Sequence, residues 1–418
     1  MRASNAFFIR VDISQMIDTR TELVNALHEA AEIEHGLLIQ YLFGALSMKK
    51  LLSEAISPEQ QAAARGWEKT LLGVAVDEMG HLGTVCNLIA AIGEPPYLAR
   101  PNFPKASGYY PFAFELVPFS DEFLYRIQVF ELPRGFPPPP PPDSDLGKVK
   151  IAGYEAIAPD PLTYKYVGEL YEQIADAFLT IPQDDLFLGP ARPNTLDDWS
   201  IRLGIRRVHD AGSAIAALKG VIEDGEGSEG AREDSHYQRF SRIRTDYFAH
   251  GRFSAARKVA RNPMTRAHRD ADGTANVIQN ADTKELAELF NLTYAFMLRC
   301  LLHYFYNADR SEEQRNAVKL AAARLMSTAI RPLAELLTEQ PFADPTDPLR
   351  AGPGFELYDA IAIPQHDGTR WRILIDELDA LRASYGRVGG RYPRVDAVAE
   401  TMGYIRRSLA IAARETVA

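Results

Sequence analysis

Glu78 and His81 lie three residues apart in the middle of an otherwise apolar stretch. Leu71 and Val74 precede Glu78 by seven and four residues, and Leu82 and Val85 follow it by four and seven. That spacing is one face of a helix, so the carboxylate and the imidazole point with the apolar stripe. Polar groups facing a core are costly unless they are paired or hold a metal. Upstream, Thr21 to Lys50 reads as one long helix, with Asp18 or Thr19 as N-cap and Glu22 at capping-box spacing from Thr19. Its apolar side runs through Leu23, Ala26 or Leu27, Ala30, Leu38, Tyr41, Leu42 and Ala45, and Glu34 interrupts it. One such Glu reads as a carboxylate at the edge of a stripe. Two of them on consecutive long helices, one with a His three residues on, read as metal ligands: Glu34, Glu78 and His81. Tyr41 is seven residues past Glu34 on the same side. It is the candidate catalytic residue, as a hydrogen-bond donor to the site or an electron source. The plainer reading is a buried tyrosine with a satisfied hydroxyl.

Glu-x-x-His on two helices, with a lone Glu on each of two others, is the pattern of carboxylate-bridged dimetal bundles. Glu34-His-Gly-Leu-Leu-Ile-Gln-Tyr41 and Asp77-Glu-Met-Gly-His81 resemble the first and second metal helices of the bacterioferritin and wider ferritin-like group. Later motifs are similar to the ferritin-like proteins grouped with iminophenylpyruvate dimer synthases of violacein- and rebeccamycin-type pigment pathways. These motifs are Pro118-Phe-Ser-Asp-Glu122, Val167-Gly-Glu-Leu-Tyr171, Gly225-Glu-Gly227, Ser235-His-Tyr-Gln-Arg-Phe240, Asn262-Pro263 and Ala351-Gly-Pro-Gly-Phe-Glu356. The resemblance covers most of residues 20–360 and implies an all-α ferritin-like four-helix bundle.

The second helix stops at Gly93-Glu-Pro-Pro96. Residues 97–160 form a Pro-rich crossover carrying a short amphipathic helix over Asp121–Glu131, and short strands are admitted between Tyr109 and Leu116. Its proline run, Pro137–Pro142, reads as a stiff surface loop rather than a polyproline ligand. The third bundle helix is expected over 162–180. Glu169 and Glu172 both lie near its apolar face; the resemblance selects Glu169 as a ligand, and the sequence alone leaves Glu172 open. The fourth is expected over 196–223. It lacks a mid-helix Glu-x-x-His, so the missing pair is sought just beyond it, in Glu226 and His236. Glu233, at Glu-x-x-His spacing from His236, is the alternative to Glu226. His209 is a further candidate, more simply read as a surface or supporting histidine. Residues 228–282 are expected to be irregular. Their basic run (Arg252, Arg257, Lys258, Arg261, Arg266, His268, Arg269) reads as a solvated loop, with recruitment of an anionic substrate as the sharper alternative. Helices are then expected over 284–306, 312–337, 371–383 and 395–413. The expected division is 1–245, bundle with its crossover insert, and 246–418, a C-terminal helical region packed on it.

Carboxylates with imidazoles suit two iron ions, with manganese as the alternative. A pair of such ions reduces O2, so the expected activity is an O2-dependent dimetal oxidase or oxygenase. The resemblance implies a small organic substrate, an aromatic 2-oxo or imino acid, in secondary metabolism. The alternative is a non-catalytic metal-binding or iron-handling protein. Composition bounds the remainder. A net charge of −10 over 418 residues argues against nucleic acid as partner. No run of about eighteen apolar residues is present, so no membrane span is expected. Two cysteines, Cys86 and Cys300, give no disulfide framework and no Cys-x-x-Cys-His haem attachment. Met1-Arg-Ala-Ser-Asn5 is followed by no signal-like apolar region, so a cytoplasmic location is expected. The expected partners are the substrate and O2, with a homodimer as the candidate assembly.

Overall fold

The structure, a computed structural model, describes residues 17–105, 112–142, 167–187, 203–206, 208–225, 233–267, 276–306, 311–364 and 366–414. Helix α1 spans Arg20–Leu46. Its N-cap is Thr19, whose side chain accepts from the Glu22 N–H while the Glu22 carboxylate accepts from the Thr19 N–H. Helix α2 spans Pro58–Ala91, opened by Ser57 and Gln60 in the same reciprocal arrangement and by proline in the first turn. These two helices pack along their length. Helices α4 (Val167–Thr180) and α6 (Ala211–Asp224) complete the bundle: α4 packs on α1 and α6, and α6 packs on α2.

Residues 196–202 of the expected range lie outside the described residues; within the described residues the fourth bundle helix begins at Ala211, with 203–206 and 208–210 not helical. Asp210 is the reason: its carboxylate accepts from the Ser213 N–H and hydroxyl, which fixes the helix start. Two further helices flank the bundle. Helix α3 (Asp121–Phe130), in the crossover, packs on α1 and α7, and α7 (His236–Ala249) packs on α2. The polar composition of 236–249 predicts irregular chain, but the segment is helical. Ser235 caps it, and Phe240, Ile243 and Tyr247 bury one face. A division at 245/246 would cut this helix. Between α4 and α6 lies the single turn α5 (Gln183–Leu186).

The C-terminal region is also helical: α8 (Ala281–Tyr306), α9 (Glu312–Leu325), α10 (Arg331–Leu337), α11 (Asp367–Val388) and α12 (Pro393–Arg414). A π-helical turn, Met326–Ile330, joins α9 to α10, so the expected 312–337 helix is one rod with a widened middle. Helix α8 packs on α2, and α10 packs on α1, which seats this region on the bundle. Among the described residues the strands are β1 (Pro263–Met264) and β2 (Asn276–Val277), a parallel pair. The crossover contributes one bridge, Lys105 to Phe114. Arg257 and Arg261 of the basic run are partly buried and paired rather than free in solvent. They pair with Glu54 and with Glu115 and Glu122, tying the segment after α7 to the α1–α2 connection and the crossover. The proline run is largely exposed.

Candidate dimetal centre

Glu34 of α1 and Glu78 and His81 of α2 point into the bundle and are 3%, 1% and 6% exposed. His81 Nδ1 lies 3.3 Å from Glu78 Oε2 and 3.5 Å from Glu34 Oε2. Gly80 lets this part of α2 approach its neighbour: an added Cβ would overlap the Leu203 carbonyl oxygen. Tyr171 of α4 donates its hydroxyl to Glu34 Oε1.

A second triad meets the first at Glu78. Glu131 is the C-cap of α3, and His236 is the first residue of α7, held there by the Ser235 cap. Both are buried. His236 Nδ1 lies 2.9 Å from Glu78 Oε1 and 3.6 Å from Glu131 Oε2. Tyr41 donates to Glu131 Oε1. The ligand-type atoms of Glu34, Glu78 and His81, and those of Glu78, Glu131 and His236, each lie within 4.8 Å of one another. The halves match. Each has an outer Glu receiving a tyrosine hydroxyl, and each has a His whose Nδ1 faces inward. A carboxylate backs each His: Asp224 Oδ2 is 4.0 Å from His81 Nε2, and Asp77 Oδ2 is 3.5 Å from His236 Nε2. Arg239 anchors Asp77 at 2.5 Å. Outer carboxylates of this kind orient metal-bound imidazoles.

Burial and charge shape the site's protonation. Burial, then the neighbouring Glu78 charge, raises the Glu34 carboxyl to about 7. Burial also pushes Glu78 up, but His81 and His236 outweigh it and hold Glu78 below its ordinary value. Burial disfavours the charged form of both histidines. The carboxylates around them win and raise both well above the usual range, Glu78 first for His81 and Asp77 first for His236. Close as these charged groups stand, among the described residues none meets hydrogen-bond geometry at Glu78 Oε2, His81 Nε2, or either ring nitrogen of His236. Buried polar atoms left in this state call for an explanation. A cation at each triad, held by carboxylate oxygen and imidazole nitrogen, would provide one, and the donor set fits iron or manganese.

The remaining candidates fall elsewhere. Glu169 is half-buried in the first turn of α4 and is not in either cluster; the inward position two residues on is taken by Tyr171. Glu172 is exposed and lies 3.6 Å from Arg134. Glu226 lies outside the described residues. Gly225, the residue before it, abuts Glu131. Glu233 is exposed, its carbonyl accepting from Arg242. His209 is exposed beside Asp210, ahead of α6. Cys86 is buried, its thiol donating to the Tyr97 carbonyl. Glu131 went unread in the sequence, although it follows Leu124 and Ile127 by seven and four residues, the signature that singles out Glu34.

A cavity of about 30 Å³ touches Glu34, Glu78, His81, Glu131 and Tyr171. Outside it an open polar cleft of about 940 Å³ is bordered by Asp77, Asp224, His236, Arg239 and Arg242.

The Ferritin-like family model matches residues 27–245. Dichlorochromopyrrolate synthase of Lentzea aerocolonigenes is 30% identical over 396 residues, covering 85% of this chain and 38% of the relative. The 2-imino-3-(indol-3-yl)propanoate dimerase of Chromobacterium violaceum is 26% identical over 357 residues, covering 78% of this chain and 33% of the relative. The chain thus spans little more than a third of the length of these relatives. A ferritin-like protein from Caulobacter vibrioides, solved by crystallography, aligns with TM-score 0.44 at 17% identity, over 72% of this chain and 95% of its own. With the family match running from α1 through α7 and relatives of this kind along the chain, the protein is a member of the ferritin-like family, all-α and related to that synthase and that dimerase.

Proposed function

We propose that this chain binds two iron ions, with manganese as the alternative, and is the O2-using oxidative component of a reaction on a small aromatic 2-oxo or imino acid. One observation carries the reading: two buried ligand triads share Glu78 and leave nitrogen and oxygen donors without hydrogen-bond partners. The substrate class is supported by the two relatives, a dichlorochromopyrrolate synthase and a 2-imino-3-(indol-3-yl)propanoate dimerase.

Glu34, His81, Glu131 and His236 would hold the metals, with Glu78 between them. When bound, such a pair supplies the electrons that reduce O2. The chain's own groups do the rest. Tyr171 and Tyr41 fix one oxygen of each outer carboxylate and leave the other facing inward. Asp224 and Asp77 place negative charge beside the outer nitrogens of His81 and His236, at 4.0 and 3.5 Å. Leu37, Phe130, Val167 and Val221 exclude bulk water.

The small cavity among the described residues favours a second reading, in which O2 oxidises the metal and no organic substrate enters. Anaerobic loading with Fe(II), then O2 with and without indole-3-pyruvate imine, separates the two. The first reading expects substrate loss coupled to O2 uptake. The second expects O2 uptake set by iron alone.

A further inference from the structure

A partly open apolar pocket lies on another side of α1 and α2, away from the carboxylates. It has a volume of about 290 Å³ and is walled by Leu38, Leu42, Val76, Met79, Leu301 and Phe355, among others, from α1, α2, α8 and the segment after the π-helical turn's rod. None of its lining residues touches the dimetal cavity. The π-helical turn adds Met326 and Ile330. The polar lining side chains are His35, Tyr294 and Arg331. Arg331 is half-exposed at the rim, where it pairs with Glu68 and Glu335. His35 and Tyr294 are hydrogen-bonded to each other, 1% and 2% exposed, at the inner end.

Protein interiors leave few voids larger than a water molecule. This space equals ~10 water molecules of liquid volume, and an apolar cavity is a poor place for water. We propose that it is a binding site for a neutral apolar molecule, one or two rings or a medium-length alkyl chain, with a single hydroxyl-type group meeting Tyr294 and His35. The apolar wall selects the body of the ligand. Of the lining side chains, the charged Arg331 is already paired at the rim with Glu68 and Glu335, so burying an ionised head group against this apolar wall is costly. Its size is near the lower end of ligand pockets in general. The site does not depend on the metal reading.

The test uses the full chain, with and without metal, and N-phenyl-1-naphthylamine as fluorescent probe, displaced by 1-octanol or octanoate. Expected are saturable one-to-one binding and displacement by 1-octanol at least tenfold better than by octanoate. Val76→Phe and Leu301→Trp, which fill the space, should each weaken the probe at least tenfold while circular dichroism and Tm are retained. Tyr294→Phe should weaken 1-octanol roughly tenfold and leave the probe unchanged. Absence of saturable binding to the wild-type chain overturns the proposal whatever the variants do. So does wild-type affinity in a folded filling variant. Equal displacement by octanoate overturns the neutral head group.

Discussion

His236 Nδ1 lies 2.9 Å from Glu78 Oε1, so the first residue of α7 meets the middle of α2 inside the bundle. This relationship brings a helix outside the four-helix ring into the site and lets one carboxylate serve both triads.

Removing a tyrosine hydroxyl tests the outer carboxylates. Tyr171→Phe leaves Glu34 Oε1 without its donor, and Tyr41→Phe does the same to Glu131. A buried hydrogen bond contributes about 0.5–1.5 kcal/mol. Each variant should lose stability of that order in urea denaturation and bind metal about tenfold more weakly by competition with a chelator. Unchanged metal affinity in both would show that the tyrosines only fill space.

Metal uptake should release protons. The Glu34 carboxyl, raised to about 7, and both histidines, raised well above their ordinary range, hold protons in the metal-free chain. Cations must displace them, so affinity should climb as pH rises from 6 to 8. Calorimetry in buffers of different ionisation enthalpy reads the proton count directly. A pH-independent affinity with no proton release would contradict the ligand assignment.

His303 predicts an acid weakness remote from the site. Burial lowers it from 6.5 to about 4, and its ring packs edge-on against Trp371. The folded value is the lower one, so this histidine's contribution is complete above pH 6.5. It is lost as pH falls from there towards 4. The shift corresponds to about 3 kcal/mol. His303→Phe should flatten the fall in stability between pH 6.5 and 4 relative to the wild type. Parallel pH profiles for the two proteins would refute it.

Gly80 tests the backbone approach next to His81. Gly80→Ala places a methyl against the Leu203 carbonyl, a backbone atom. Overpacking of this kind costs about 1–3 kcal/mol. A lower Tm and weaker metal binding should appear together. A variant with wild-type Tm would mean that the 203–205 segment yields freely.

The sequence made the bundle legible where stripes are long. Thr19 with Glu22 marks the start of α1, and the inward faces of Glu34, Glu78 and His81 follow from periodicity alone. Short or polar elements were less legible. Helix α7 buries three large apolar side chains among many polar ones, so its composition looked like a loop. Glu131 ends a ten-residue helix in a Pro-rich crossover, where a carboxylate reads as a cap rather than a core group. Glu169 illustrates the limit on angular resolution. A position near an apolar face can still miss the centre, and on α4 it is Tyr171 that reaches Glu34.

The central claim is that Glu78 is common to two metal positions. Titrating the metal-free chain with Fe(II) under anaerobic conditions, and counting bound ions by elemental analysis, tests it directly. The account predicts two ions per wild-type chain, one in Glu34→Ala, one in Glu131→Ala, and none in Glu78→Ala at the same free metal concentration. Two ions retained by a folded Glu78→Ala chain, or none bound by the wild type, would contradict it.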